Sequence, residues 1–276
     1  ITAGQQVTMF GFACDQTDEL MPMPIWLAQR LAARMDSDEV FAKMPYLLPD
    51  AEIQVGFEFM DAEPFCIHSI TLVTTQREDS DIELDGLRED VIKRVIDPVL
   101  KKVKIKCDEE TIIHINPGGL RKGGGPSVHS GLTGRKTGID TYGGFARSSG
   151  AALSGKDPMR IDRVGAYIAR YAAKNVVAAE LARECEVQLS YSIGIAEPVS
   201  LRVRTFGSGE VDDDAIADRL RQVIDFRPGG IVRDLGLKTI SAQLGGFYRK
   251  LSVYGHMGHR ELEVPWENTA LASKLK

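Results

Sequence analysis

The sequence predicts a mixed α/β or α+β fold on three observations: apolar stripes at helical spacing, short alternating strands between them, and one long amphipathic stretch that a polar loop introduces. Pro24 can start a helix through Ile25, Leu27, Leu31 and Met35, because proline at a first helical position loses no hydrogen bond. Val55, Phe57 and Phe59 then alternate as a half-buried strand. Leu84, Leu87, Val91, Val95 and Val99 carry a helical stripe with a proline near its end, and Thr111 to Ile115 reads as a short strand. The longest helix is expected from Pro158 to Glu184, with Ile161, Val164, Ile168, Ala172, Val176 and Ala179 on one face. Val187, Leu189, Tyr191 and Ile193 form the next strand. Ile216, Leu220 and Val223 mark a helix that ends before Arg227-Pro228-Gly229-Gly230.

With 276 residues, 43% of them hydrophobic, the chain can bury a sizeable core as one large domain or two ordinary ones. A net charge of −5 argues against a nucleic-acid surface, so any cation cluster is local. No apolar run is long enough to span a bilayer and no signal peptide is evident, so no membrane partner is expected and the cytoplasm is the expected location. Cys14, Cys66, Cys107 and Cys185 lack metal-ligand spacing and read as buried thiols of a reducing compartment. The chain starts at Ile1, as a processed chain or a piece of a longer product would.

Two stretches carry chemistry. Residues 130–144, SGLTGRKTGIDTYGG, set Arg135 and Lys136 in a glycine- and hydroxyl-rich backbone, which suits a phosphate and equally suits a solvated surface loop. SGKDPMRID, from Ser154 to Asp162, places Lys156 just ahead of the long helix, where its ammonium joins the positive end of the helix dipole. Arg160 and Asp162 fall in the first turn, so a phosphate-binding cation and a carboxylate for Mg²⁺ lie close together. The plainer alternative is that Asp157 caps the helix and Asp162 complements its dipole. No phosphate-loop or dinucleotide glycine fingerprint occurs. His256 and His259 in YGHMGH have no third zinc ligand at suitable spacing and read as part of a structural loop, and Asp212, Asp213 and Asp214 as an acidic first turn.

GGGPSVHSGLTGRKTGIDTYGGFAR (123–147), SGKDPMRIDRVGAYIARYAAKNVVAAELA (154–182) and YSIGIAEPVSLRVRTFG (191–207) resemble the methionine adenosyltransferase, or S-adenosylmethionine synthetase, family. The resemblance extends to MFGFACDQTDELMPMPI (9–25), LLPDAEIQVGF (47–57), INPGG (115–119), DFRPGGI (225–231) and YGHMGHRELEVPWE (254–267), which covers nearly the whole chain. It implies similar α/β subdomains with interlocked segments, residues 1–117 being the family's central segment and 118–276 its C-terminal one. It also implies a dimer packed through flat sheet faces, with active sites between subunits. The implied reaction joins ATP, L-methionine and water into S-adenosylmethionine, phosphate and diphosphate: sulfur attacks C5′ of ATP and triphosphate leaves whole. By the family pattern, Arg135 and Lys136 hold triphosphate from one subunit, and Lys156 and Ala152 approach it from the other. Asp50 corresponds to a carboxylate of the adenosine and methionine pocket, Arg160 to a position usually lysine, and Asp162 to a metal-linked acid. Mg²⁺ and K⁺ are the implied cofactors.

Other positions depart from the pattern. Gln5 stands for an acid, Glu52 for a lysine near the phosphates, Arg121 for an aromatic that stacks on adenine, and His129 for an aspartate near methionine. Glu52 and Arg121 are expected to pair with each other, so that two departures become one exchange. The resemblance starts after the family's N-terminal segment, which carries the K⁺ carboxylate, so the chain is read either as a fragment or as a natural short subunit. In the second case it is a homodimer, or a heteromer completed by a catalytic paralogue or an N-terminal chain. Two further readings stay open: a catalytically degenerate subunit that stabilises or regulates an active paralogue, and the same chemistry on an altered nucleotide or amino acid.

Overall fold

A computed structural model describes residues 1–105, 110–125, 128, 137–259 and 262–276. The chain divides into two compact units, one of residues 1–22 with 133–276 and the other of residues 23–132. The first strand, β1 (Val7–Cys14), therefore belongs with the far end of the sequence.

In the unit of residues 23–132, α1 (Met23–Met35) and α2 (Asp38–Lys43) precede a long hairpin of β2 (Leu47–Met60) and β3 (Glu63–Gln76). Its two-residue turn, Asp61-Ala62, has positive φ at both positions, the backbone that matches the twist of the strands it joins. Strand β2 is much longer than the Val55 to Phe59 alternation indicates, and its register with β3 shifts at three places, after Leu47, Gly56 and Glu58. Beyond β3, α3 (Leu84–Val91) runs through a π-helical turn at Ile92–Ile96 into α4 (Asp97–Leu100). The apolar spacing explains the turn: Leu87, Val91, Val95 and Val99 recur every fourth residue, which drifts around a helix of 3.6 residues per turn, and a wider turn cancels the drift. All four end up buried. β4 (Ile112–Ile115) pairs parallel to β3, giving the sheet order β2-β3-β4. One core collects Leu27, Leu31 and Met35 of α1, Ile67, Ile70 and Leu72 of β3, and the stripe of α3 and α4.

The other unit is built around α5 (Ile161–Ala178), of which every residue but Tyr171 and Ala178 is buried. The helix begins three residues later and ends earlier than the apolar stripe alone indicates. Asp157 accepts the Met159 N–H at 2.8 Å and closes a turn of its own, so the capping position falls to Arg160, which makes no side-chain cap. At the far end Glu180 takes a left-handed conformation and Leu181 N–H returns to the Val176 carbonyl at 3.2 Å, a helix stop of the Schellman kind. β5 (Glu184–Tyr191) and β6 (Ser200–Arg204) follow, and β5 pairs antiparallel with both β1 and β6. Gly11 of β1 allows the sheet to close on α5: a Cβ there would stand 2.0 Å from the Ala169 carbonyl carbon. On its other sides α5 meets α7 (Pro228–Asp234), a 3₁₀ turn at Pro265–Glu267, and α10 (Ala272–Leu275), after α6 (Asp213–Val223), α8 (Ile240–Leu244) and α9 (Phe247–Leu251).

A charged residue lies in the middle of that packing. Arg170 is fully buried and gives a bidentate pair to Glu267 at 2.9 and 2.8 Å, while its remaining N–H groups reach the carbonyls of Phe12, Leu20 and Glu19. Lys174 adds a second cation to Glu267 at 2.7 Å. Burial alone would raise the Glu267 pKa, but the charge and hydrogen bonds of Arg170, with Lys174 behind them, hold it below the usual carboxyl range. Every strong group is satisfied, which is the condition for keeping a buried ion pair. Cys14 and Cys185 are buried as expected, Cys66 is only half-buried, and Cys107 lies outside the described residues.

Candidate functional site

The loop 152–160 leads into α5 and presents its cations at the helix N-terminus. Lys156 Nζ lies 2.9 Å and Arg160 Nε 3.4 Å from Oδ2 of Asp162, a carboxylate that is 2% exposed and fixed in the first turn of α5. Although both cations are near, Asp162 Oδ2 makes no hydrogen bond of acceptable angle among the described residues. The two cations therefore hold this buried oxygen by charge rather than by an aligned hydrogen bond. Arg160 extends away from this group and donates through Nη2 to Gln5 Oε1 at 2.7 Å. Gln5, Lys156, Arg160 and Asp162 thus form one cluster, and Ala152 stands half-buried at the head of the loop, next to the buried Leu153.

The cluster rests on a hydrogen-bonded backing that sequence reasoning did not assign to the site. Arg163 donates Nη1 to the Lys156 carbonyl at 2.7 Å and both Nε and Nη2 to the Tyr167 hydroxyl, at 3.1 and 3.0 Å. Tyr167 lies 2.8 Å from Nδ1 of His256, and Nε2 of the same ring lies 2.8 Å from Ser154 Oγ. Trp266 stacks on Tyr167 at 3.6 Å and donates Nε1–H to the His256 carbonyl at 2.8 Å, while the His256 N–H goes to the Asp140 carbonyl at 2.8 Å. His256 is completely buried. Desolvation first, and the electrostatic influence of Arg163 and then of the neighbouring His259 after it, push its pKa down to about 3 and keep the ring neutral. The signal was present in the histidine of YGHMGH, but nothing local ties it to a serine that the chain reaches 102 residues earlier.

Asp50 belongs to the other unit and has its own setting. Its Oδ2 accepts the Gly125 N–H at 2.9 Å, and its carbonyl accepts the Thr75 hydroxyl at 3.4 Å. Gly124 is required there, since a Cβ would stand 2.5 Å from Thr75 Oγ1 and 2.8 Å from Asp50 Oδ2. Asn116, in the INPGG segment, bonds the β3 backbone at Thr74 through both ends of its amide, at 2.8 and 2.9 Å, and so fixes the same end of the sheet. The expected pair of Glu52 and Arg121 does not form. Glu52 sits on β2 opposite Val73, whereas Arg121 gives its carbonyl to Gln76 at the end of β3, on the side away from β2, and β3 separates them. Both side chains are exposed, and no ion pair links them among the described residues. Arg135, Lys136 and His129 lie outside the described residues.

The arrangement defines a class of protein: an α/β chain that sets lysine and arginine around a buried carboxylate at the N-terminal end of a central helix. Residues 1–120 match the family model of the S-adenosylmethionine synthetase central domain, and residues 123–268 that of the C-terminal domain. The chain is similar along its whole length to proteins named S-adenosylmethionine synthase: 45% identical to that of Crocosphaera subtropica over 284 residues, 44% to that of Trichodesmium erythraeum over 285, and 46% to that of Gloeobacter violaceus over 288. It spans 67 to 68% of the length of these relatives. The chain belongs to the S-adenosylmethionine synthetase family. The mixed α/β architecture, with two small sheets among the described residues, agrees with that membership. The compact units do not follow the two matched domains, because β1 pairs with β5, so segments distant in sequence interlock.

Proposed function

We propose that this chain takes part in S-adenosylmethionine synthesis, ATP, L-methionine and water giving S-adenosylmethionine, phosphate and diphosphate, at a site completed by a neighbouring subunit. The observation that supports it is the cluster of Lys156, Arg160 and Asp162 at the head of α5, in a chain that matches the family throughout. Thioether sulfur attacks carbon without a general base, so the demand on the protein is to stabilise triphosphate as its charge develops. Lys156 and the N-terminal end of α5 supply positive potential for that purpose, and Asp162 holds both cations extended before the ligand arrives. Arg135 and Lys136 of a partner subunit are proposed to meet the same phosphates, and Asp50 to bound the nucleoside and amino-acid pocket.

The described residues fit Mg²⁺ in a limited way. They hold no cluster of three side chains that would bind a metal alone, but the buried Asp162 Oδ2 provides one carboxylate oxygen, and Mg²⁺ on polyphosphate needs only one or two from protein. Bound there, the ion would neutralise developing phosphate charge. K⁺ is carried over from the family as a proposal only.

Gln5 favours a second reading, a subunit that completes or regulates an active paralogue. It spends its amide oxygen on Arg160, where an acid would otherwise face substrate. One experiment addresses both: the chain is incubated with ATP, methionine, Mg²⁺ and K⁺, with and without candidate partner chains, and S-adenosylmethionine is sought by mass. Product from the chain alone supports the enzyme; product only with a partner supports the subunit; product in neither case rejects both.

A further inference from the structure

The backing network has a fixed hydrogen-bond direction, and the direction has a consequence for Ser154. Two guanidinium N–H groups of Arg163 occupy the two lone pairs of the Tyr167 oxygen. The single phenolic proton must then go to the one neighbour left, Nδ1 of His256, 2.8 Å away. A nitrogen that accepts carries no proton, so the neutral ring has its proton on Nε2 and donates it to Ser154 Oγ at 2.8 Å. Ser154 is thereby made an acceptor inside the protein, and its own hydroxyl proton has to be given elsewhere.

We propose that Ser154 is a further ligand-binding residue of this site, a committed hydroxyl donor to an anionic oxygen held by Lys156, and that His256 is the positioning residue that enforces the donor role. The inference rests on the anion reading above and adds to it. Ser154 stands two residues before Lys156 on the same loop, and Arg163 ties that lysine's carbonyl to the chain that orients Ser154, so one guanidinium sets both groups. The other arrangement, a proton on Nδ1, would leave Nδ1–H and the phenolic O–H pointed at each other in a site from which water is excluded. It would also let Ser154 spend its proton on Nε2 and offer a ligand only lone pairs, which repel phosphate.

Two measurements on the whole chain test this. Long-range ¹H–¹⁵N correlation on histidine-labelled protein reads the His256 tautomer: the Nε2–H form is expected, and an Nδ1–H form or an imidazolium at neutral pH would overturn the proposal. Calorimetry with tripolyphosphate then reads the role. Ser154→Ala is expected to lower affinity about tenfold, as for loss of a hydrogen bond to a charged group. Tyr167→Phe, which keeps the ring stacked on Trp266, is expected to shift His256 out of the Nε2–H form and lower affinity in parallel. Ser154→Ala binding like wild type while Lys156→Ala binds more weakly would overturn the Ser154 role alone. Failure of the wild-type chain itself to bind tripolyphosphate would overturn the anion reading and the Ser154 role together.

Discussion

Gln5 and Arg160, 155 residues apart in the chain, are joined by a 2.7 Å hydrogen bond between amide oxygen and guanidinium. A neutral acceptor orients Arg160 without cancelling its charge, so Lys156 and Arg160 face a single carboxylate, that of Asp162. Gln5→Asp is expected to weaken tripolyphosphate binding by about 1 kcal/mol at low salt, because a carboxylate near a polyanion repels it, and the difference should shrink as salt screens the exposed pair. Calorimetric titration at two ionic strengths checks this; equal affinities at low salt would mean that Arg160 does not face the anion.

Lys156→Ala should cost tripolyphosphate affinity about 1.5 to 3 kcal/mol, the range for hydrogen bonds to charged groups. The same change strands Asp162 with one cation, so some loss of melting temperature is expected as well. Lys156→Arg should recover stability better than affinity, since a guanidinium matches the carboxylate but not the compact ammonium's reach.

His256 gives the protein an acid limit. Its folded pKa of about 3 lies under the ordinary 6.5, so the unfolded chain takes up a proton that the folded one refuses throughout that interval. Stability is whole above pH 6.5 and falls as pH drops from there toward 3, by up to about 1.4 kcal/mol per pH unit for this group. Melting curves between pH 7.5 and 5 should show the fall, and His256→Gln should flatten it. Glu267 acts in the same direction at lower pH: its pKa is depressed, so its contribution is present above 4.5 and is lost as pH falls below that.

Glu267→Ala should destabilise by about 3 to 5 kcal/mol, because Arg170 would keep its charge in a fully buried place with only carbonyl partners. Thermal or urea unfolding reads this. Gly11→Ala should cost about 3 kcal/mol through a different mechanism, since strand and helix backbone would have to separate to admit one methyl group.

The sequence made the long helix legible because Ile161, Val164, Ile168, Ala172 and Val176 repeat on one face, and it made the cation loop legible because SGKD stands directly ahead of that face. It did not reveal where α5 starts, since Pro158 is an equally good first helical residue, whereas residues 157–160 close a separate turn through the bonds of Met159 and Arg160 N–H to Asp157. Nor did it reveal Arg170, which occupies a place where helix periodicity is read as polar and solvated; its partners lie at the two ends of the chain. The tie between Ser154 and His256 is of the same kind. The expected pairing of Glu52 with Arg121 failed because proximity in a family pocket says nothing of which strand lies between two side chains.

The pairing of β1 with β5 also sets an order of events at the ribosome. Residues 23–132 are contiguous and own a complete core, so they can collapse as soon as they emerge. β1 leaves the exit tunnel before them and cannot form its ladder until Glu184 to Tyr191 has been made. At 5 to 20 residues per second that delay is of order 10 to 30 s. Throughout it, β1 lacks both the strand that pairs with it and the helix backbone against which Gly11 packs.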